Sequence, residues 1–243
     1  MSKKIMPVNV NALSFTVKQQ DFNNIVAARQ TVLPQYVQQE NALSLLFTQK
    51  STFSFPEILL KAAVLNSFYS TGIRDVYTVV SHIYSLCQNH SLKSLLANGD
   101  IQAVQLMKCV GHSGKNINHM SFASKYANFE NPGGFPIMDN LVVEVFANLR
   151  SKSFFKKNKH FSKKTLKTNY ALFKSVYDEF IQLSGMDKLS DVNGNPLTYK
   201  DIDRYLWIIK KVQYAKKGIN AAKVQLNVPA VSLIQSSPIY IYG

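Results

Sequence analysis

A lysine and an aspartate in the middle of the chain are the residues whose types and order are best suited to chemistry. Lys125 ends the segment Ser121-Phe122-Ala123-Ser124-Lys125, and Asp139 ends Phe135-Pro136-Ile137-Met138-Asp139. A neutral lysine amine is a nucleophile that forms Schiff bases, and an ionised carboxylate stabilises positive charge in a transition state. Each residue also has a simpler interpretation. Asp139 has the position of an N-cap before an apolar helix, and Lys125 alone could be solvated or contact a phosphate.

The two segments resemble the catalytic segment of the helix-hairpin-helix DNA glycosylases, particularly the 8-oxoguanine glycosylase branch. In that superfamily a hairpin containing glycine precedes a lysine, and an aspartate lies at the start of a following helix. Lys125 and Asp139 take those two positions. The resemblance implies that Asp139 stabilises the charge left on the sugar when the N-glycosidic bond breaks. It also implies that Lys125 attacks the anomeric carbon and that elimination from the Schiff base then cuts the strand.

The chain departs from the family pattern at the hairpin, within a resemblance that covers about residues 55–150. Ser121 and Ala123 stand where the hairpin glycines are expected, and the spacing from Lys125 to Asp139 is shorter than usual in the family. Both residues remain candidates for contacting DNA. The excised base is left open between an 8-oxoguanine-like base and a bulky modified base of the kind found in phage genomes, which would imply a role in defence rather than repair.

An enzyme that acts on a base inside duplex DNA must extrude the nucleotide, which requires a wedge and a stacking wall. Residues 65–74 resemble the early buried helix of the family, whose polar end probes DNA at the extruded nucleotide. Trp207, the only tryptophan, is a candidate for the pocket lining, although its position within an apolar stripe favours a role as a core anchor. The alternative role of the other candidates is packing at a helix end. These candidates are Tyr69, Ser70, Thr71 and Arg74.

The chain is strongly basic, with 28 Lys and Arg against 14 Asp and Glu and a formal net charge of +14. Such a charge predicts a polyanionic partner, and its densest part lies between Arg150 and Lys174, with no acidic residue before Asp178. Interleaved aromatic residues (Phe154, Phe155, Phe161) would add a surface that packs against sugar or base. A solvated, lysine-rich loop is the alternative. The predicted DNA contacts in this cluster are Lys156, Lys157, Lys159, Lys163 and Lys164.

The spacing of apolar residues predicts an all-α fold in which helices position the two candidate catalytic residues. A nearly apolar helix over residues 57–69 is expected to lie in the core, and residues 111–118 are expected to form a loop. Pro229, Pro238 and Ile239-Tyr240-Ile241 predict an extended or irregular tail. Further helices are predicted over residues 74–87, 100–110, 122–129, from 139 onwards, 166–180 and 202–212.

No linker of biased composition divides the chain, so we predict one helical core with two flanking segments. Residues 1–50 form an N-terminal segment of uncertain structure that packs on the core. Residues 51–227 form the helix-hairpin-helix glycosylase-like core, with the hairpin near 111–130, and residues 228–243 form the C-terminal tail.

The two cysteines, Cys87 and Cys109, are too few for a four-thiolate zinc site or an iron-sulfur cluster. We therefore expect reduced thiols, with no metal and no cofactor. The N-terminus lacks the pattern of a secretory signal, and no apolar run is long enough to span a bilayer. The predicted protein is a cytoplasmic monomer that binds double-stranded DNA, with no membrane association and no obligate protein partner.

Two functions outside the glycosylase class remain open at this point. One is a non-enzymatic nucleic-acid-binding protein that uses the lysine cluster, which predicts steep salt dependence and no base release. The other is an RNA-binding or toxin-like accessory protein, which predicts preference for RNA over duplex DNA.

Overall fold

The computed structural model describes residues 12–48, 51–89, 91–112, 115–219 and 228–243. Within these ranges the chain is mostly helical, and two short antiparallel strands form the only sheet, so the fold is all-α as predicted. The helices before the sheet are α1 (Gln19–Val32), α2 (Pro34–Thr48), α3 (Phe55–Tyr69), α4 (Val76–Asn89), α5 (Leu92–Ala97) and α6 (Gln102–Met107). The strands are β1 (Cys109–His112) and β2 (Lys115–Asn118). The later helices are α7 (Met120–Glu130), α8 (Asn140–Ser151), α9 (Lys163–Thr168), α10 (Tyr170–Leu183), α11 (Tyr199–Lys216), α12 (Val228–Gln235) and α13 (Pro238–Tyr242), with a 3-10 turn at Met186–Lys188.

The central helix of the fold is α7, the helix that carries Lys125. Residues 122–129 are all buried, and α7 contacts α2, α3, α5, α6 and α9. The sequence instead predicted the central position for residues 57–69. That prediction was wrong because α3 buries one face only, through residues such as Ile58 and Leu65, whereas Leu60 is 53% exposed.

A β-hairpin connects α6 to α7, where the sequence predicted a helix to residue 110 followed by a loop. Its strands pair Cys109 with Asn118 and Val110 with Ile117. The β-branched side chains of the second pair favour extended backbone, which explains why α6 ends before them. The hairpin predicted near 111–130 is therefore the pair of strands Cys109–His112 and Lys115–Asn118, and residues 120–130 are helical.

The flanking segments are both helical where they are described. Residues 12–48 of the N-terminal segment contain α1, which contacts α11 and α12, and α2, which contacts α3 and α7. The extended tail predicted from Val228 is wrong, because this segment forms α12 and α13. Each proline lies in the first turn of its helix, where its missing N–H costs nothing, and Ser237 caps α13 by accepting the N–H of Ile239. Residues 1–11 and 220–227 of the predicted segments lie outside the described residues.

The apolar stripe predicted as one helix over residues 166–180 is divided between α9 and α10. Asn169 lies between them in extended conformation, and its side chain accepts the N–H of Leu172 as the N-cap of α10. Across the ranges that the structure describes, no helix combines the length and the apolar character needed to cross a bilayer.

Candidate active site

Lys125 and Asp139 lie in direct contact. The Nζ atom of Lys125 is 3.3 Å from Oδ2 of Asp139 and donates a hydrogen bond of 2.7 Å to Oγ of Ser121, one turn earlier on α7. The side chain of Lys125 is only 2% exposed, and its ammonium lies 5.8 Å from the centroid of the Tyr69 ring. The simpler interpretation of Lys125 as a solvated side chain is therefore wrong.

Asp139 caps α8 and pairs with Lys125 at the same time, because its two carboxylate oxygens have different partners. Oδ1 accepts the N–H of Leu141 at 2.8 Å, which confirms the predicted N-cap, and Oδ2 faces Lys125. The cap fixes the rotation of the carboxylate. Its side chain is 22% exposed, so Asp139 can be reached from solvent while Lys125 lies behind it.

Three side chains fix the segment that leads to Asp139 against the central helix. Ser124 accepts the N–H of Met138 at 3.0 Å, and Asn128 donates to the carbonyl of Phe135 at 2.7 Å. Tyr170 of α10 donates to the carbonyl of Pro136 at 2.8 Å. These bonds satisfy the buried backbone of an irregular segment and hold Asp139 opposite Lys125.

A close approach of two glycines sets where that segment begins. A Cβ atom added to Gly134 would lie 2.7 Å from Cα of Gly99, so a side chain cannot fit at this position. Asn131 secures the same turn by donating to the carbonyls of Leu96 and Ala97 at the end of α5. The Pro132-Gly133-Gly134 turn is thus part of the machinery that positions the site.

Asp139 lies in the wall of a cavity of about 670 Å³. The cavity runs along α11, and the ends of α3 and α8 with parts of α1 and α2 complete its lining. Tyr36 and Trp207 form an edge-to-face pair in its wall, with ring centroids 4.6 Å apart. The ammonium of Lys211 lies 4.7 Å from the Trp207 ring and 5.0 Å from the Tyr36 ring. Trp207 therefore lines a pocket, one of the two roles weighed for it.

Asp203 also lines this cavity and is a site residue that the sequence analysis missed. It is 6% exposed, and its Oδ1 atom has no hydrogen-bond partner among the described residues. Burial raises the pKa of its carboxyl group to about 7; the charges of Lys200 and Lys125 oppose this rise, while Asp139 and Glu40 add to it. Asp203 stands one helical turn before Trp207, and a lone aspartate within the apolar stripe of residues 202–212 was the available signal.

A buried cluster of charges supports the same cavity from the N-terminal helices. Glu40 of α2 pairs with Arg29 at 2.8 Å, with Arg204 at 2.7 Å and with Lys200 at 3.7 Å. Burial alone would raise the pKa of Glu40, but these three cations hold it below its ordinary value. No local pattern along the chain marks this cluster, because its members come from α1, α2 and α11.

Lys200 joins the cluster to the wall of the cavity through Tyr69. Its Nζ atom donates to the Tyr69 hydroxyl at 3.4 Å and lies 3.8 Å from the centroid of the Phe129 ring. Burial lowers the pKa of Lys200 and raises that of Tyr69. The Tyr69 ring thus lies near two buried ammonium groups, those of Lys125 and Lys200.

The residues predicted to contact an extruded nucleotide divide into two groups. Tyr69 and Ser70 line the cavity, whereas Thr71 and Arg74 do not. Thr71 donates to the side chain of Asn66 at 2.7 Å, which is the helix-end packing weighed against a DNA contact. Arg74 is exposed beside a second hollow, on the side of Gly72 and the β-hairpin.

The two residues at the predicted hairpin-glycine positions lie on α7 and differ in role. Ser121 is half-buried and accepts the hydrogen bond from Lys125. Ala123 is fully buried in the core, so the prediction that it contacts DNA was wrong.

The predicted lysine cluster is exposed, but its aromatic residues are not. Phe154, Phe155 and Phe161 are buried in the core, so the expectation that they pack against sugar or base was wrong. Lys167 of α9 lines the cavity, so the basic surface reaches the site. The predicted contacts that are exposed are Lys156, Lys157, Lys159, Lys163 and Lys164.

Metal ligands do not cluster in the part of the chain that the structure describes. No three histidine, cysteine or carboxylate side chains there lie close enough together to hold an ion.

Two comparisons with known proteins find a match: one covers the first part of the chain, and the other covers most of its length. Residues 17–133 match a family model described as the HI_0787_N N-terminal domain. An uncharacterized protein of Haemophilus influenzae is 31% identical over 171 residues, which cover 70% of this chain and 74% of that protein. No solved structure matches. The matched domain includes Lys125 and ends before Asp139.

Proposed function

Since this chain belongs to one family with the uncharacterized Haemophilus influenzae protein, whose name states no activity, we propose its function from the geometry around Lys125 and Asp139. The proposed function is that of a DNA glycosylase with a helix-hairpin-helix glycosylase-like core, which flips a damaged or modified base out of double-stranded DNA and excises it. The observation that carries the proposal is the contact of 3.3 Å between a buried lysine amine and a carboxylate at the edge of a cavity.

The pair supplies the groups that cleavage of an N-glycosidic bond requires. Asp139 Oδ2 accepts a proton from the Lys125 ammonium, and the neutral amine attacks the anomeric carbon C1′. The bond from C1′ to the base breaks, its electron pair leaves with the base, and Asp139 passes the proton that it accepted to the departing base. The carboxylate ionised by this transfer stabilises the positive charge that develops on the sugar. The new secondary ammonium then loses a proton to Asp139, and ring atom O4′ takes up that proton as its bond to C1′ breaks, which gives a Schiff base. Loss of a proton from C2′ and departure of the 3′-phosphate then cut the strand.

The cavity supplies a place for the extruded base beside that pair. A pocket of about 670 Å³ lies within the range of about 300–1,000 Å³ typical of small-ligand sites. Trp207 and Tyr36 offer aromatic surface on which a base can stack, and Asp203 offers a buried carboxyl group for its polar edge. Lys167 and Lys211 line the same cavity and can contact the phosphates on either side of the extruded nucleotide.

Covalent trapping tests the proposal. Sodium borohydride should reduce the Schiff base between the protein and duplex DNA that carries an abasic site, giving a stable complex. Lys125→Gln keeps a polar side chain of similar size that can donate a hydrogen bond but has no amine, so it should abolish trapping while DNA binding is kept. Lys188→Ala removes an exposed lysine far along the chain from the site and serves as the control for charge. Unchanged trapping in Lys125→Gln would exclude Lys125 as the nucleophile.

A non-enzymatic DNA-binding protein is the second candidate, and the exposed lysines of residues 156–164 favour it. If these lysines neutralise phosphates of the DNA backbone, binding should depend steeply on salt, and no base should be released. In that case Asp139→Asn would leave DNA binding unchanged and no duplex in a panel of modified bases would release free base.

A further inference from the structure

The cavity beside Asp139 is longer than a single base requires. Its wall on α11 extends from Asp203 through Trp207 to Tyr214, which spans roughly 16 Å at a rise of about 1.5 Å per residue. Asp139 lines the same cavity, close enough to both ends for its charge to raise the pKa of Asp203 and of Tyr214. A base that occupies the half near Asp203 would leave the half near Tyr214 empty.

The half of the cavity near Tyr214 is a fixed polar wall. Oε2 of Glu144 on α8 accepts a hydrogen bond from the Tyr214 hydroxyl, and the buried ammonium of Lys210 lies 4.0 Å from the same oxygen. Both partners orient the carboxylate without closing the cavity, which Glu144 still lines. Gln35 and Gln39 of α2 line the same cavity.

This lining favours neither sign of charge. An anionic substituent inside the cavity would approach the carboxylates of Glu144 and Asp139 as well as the ammonium groups of Lys211 and Lys167, and a cationic substituent would meet the same mixture. Carboxylates and amides together accept from and donate to neutral hydroxyl groups, and the faces of Trp207 and Tyr36 pack against C–H surfaces. The chemistry that fits is a neutral group rich in hydroxyls.

A second observation indicates that the cavity is built for a ligand. Asp203 is buried and lines the cavity, yet its Oδ1 atom lacks a hydrogen-bond partner among the described residues. A buried polar atom without a partner destabilises the folded state, and a bound ligand can satisfy it. The cavity therefore offers one unsatisfied carboxyl at one end and an oriented one at the other.

We infer that the substrate is a nucleobase enlarged by a neutral, hydroxyl-bearing substituent such as a sugar, with the base near Asp203 and the substituent between Glu144 and the Gln35 and Gln39 amides. This inference rests on the proposed glycosylase activity and names its class of substrate. A base without such a substituent leaves the polar wall hydrated and gains nothing from it.

Base release from matched duplexes tests the inference. The probes are duplexes of one sequence that carry 5-hydroxymethylcytosine, the same base with a glucose on its hydroxyl, 8-oxoguanine, or an abasic site. We expect the glucosylated base to be released about tenfold faster or more than either smaller base, since lost hydrogen bonds to a polar site reduce transition-state binding. Equal or faster release of a smaller base would overturn the inference. Failure to trap the abasic duplex would instead overturn the proposed activity, so the two failures are distinguishable.

Substitution of Glu144 tests the assignment of the polar wall. Glu144→Gln should reduce the ratio of release of the glucosylated base to release of the unglucosylated base by about tenfold. Asp187→Asn removes an exposed carboxylate outside the cavity and should leave that ratio unchanged. Gln39→Ala provides a second variant if loss of the contacts to Tyr214 and Lys210 unfolds the first. If Glu144→Gln and Gln39→Ala are each folded and neither changes the ratio, the assignment is refuted.

Discussion

The buried carboxyl group of Asp203 makes stability depend on pH in a direction opposite to that of most carboxylates. Its pKa is raised from about 3.8 in an exposed aspartate to about 7 in the folded chain. The folded state therefore holds a proton that the unfolded state releases between these two values. The stability that this proton contributes is fully present below pH 4 and is lost as pH rises through 7.

The magnitude follows from the size of the shift. About three units at about 1.4 kcal/mol each give a total of roughly 4 kcal/mol. Between pH 5 and pH 7 the folded carboxyl is protonated and the unfolded one is ionised, so about 3 kcal/mol of that total is lost by pH 8. Asp203→Asn keeps the shape of the side chain and removes the titration.

Urea unfolding at pH 5, 6, 7 and 8 measures the effect as a difference between Asp203→Asn and the native chain. All other groups titrate in both proteins and cancel. From pH 5 to pH 8 the free energy of unfolding of the variant should rise by about 3 kcal/mol relative to that of the native chain. The slope of the free energy of unfolding against urea concentration should not change. Asp187→Asn changes an exposed residue, so its free energy of unfolding should differ from that of the native chain by the same amount at every pH. A flat difference for Asp203→Asn would refute the raised pKa and the burial from which it follows.

Three further predictions concern the charges and thiols around the fold. Glu40→Gln leaves buried Arg29 and Lys200, and half-buried Arg204, without this carboxylate and should lower the free energy of unfolding by about 3–5 kcal/mol in urea titration. If Lys163 and Lys164 each contact a phosphate, replacing both by alanine should reduce the slope of log affinity for duplex DNA against log salt by about two; an unchanged slope would place α9 away from the DNA. A thiol reagent at neutral pH should modify exposed Cys109 rapidly and Cys87 slowly, because burial raises the pKa of Cys87 to about 11, and equal rates would contradict this packing.

Local signals in the sequence were sufficient to predict the helices and one cap. The apolar spacing predicted α4, α7, α8 and α11 to within a few residues, and Asp139 was predicted as the N-cap that it is. Helix periodicity and capping depend on neighbours along the chain, so one sequence carries them. The prediction for the C-terminal tail failed because prolines in the first turn of a helix, as in α12 and α13, look in the sequence like prolines that break helices.

Features that depend on contacts between distant segments could not be predicted in the same way. The central helix is the one that other elements cover on every face, and apolar composition alone does not show this coverage. The composition therefore predicted the central position for residues 57–69 rather than for α7. The lysine cluster was located, but Phe154 and its neighbours could as well have faced solvent as the core. Glu40 and Asp203 come together across most of the chain, and no local pattern marks either as a cavity residue.

The lysines exposed on this chain of net charge +14 and the carboxylates in the wall of the cavity, which stand there beside arginine and lysine side chains, have different tasks. Exposed lysines are screened by water and salt and can hold a polyanion without fixing its position. Buried carboxylates act over a few ångströms and have fixed partners, as Asp139 has in Leu141 and Lys125. Bound DNA would add negative charge near Asp203, which disfavours its ionised form further. A polyanion held by the surface would thus keep Asp203 neutral at pH 7, in the form that donates a hydrogen bond to a base.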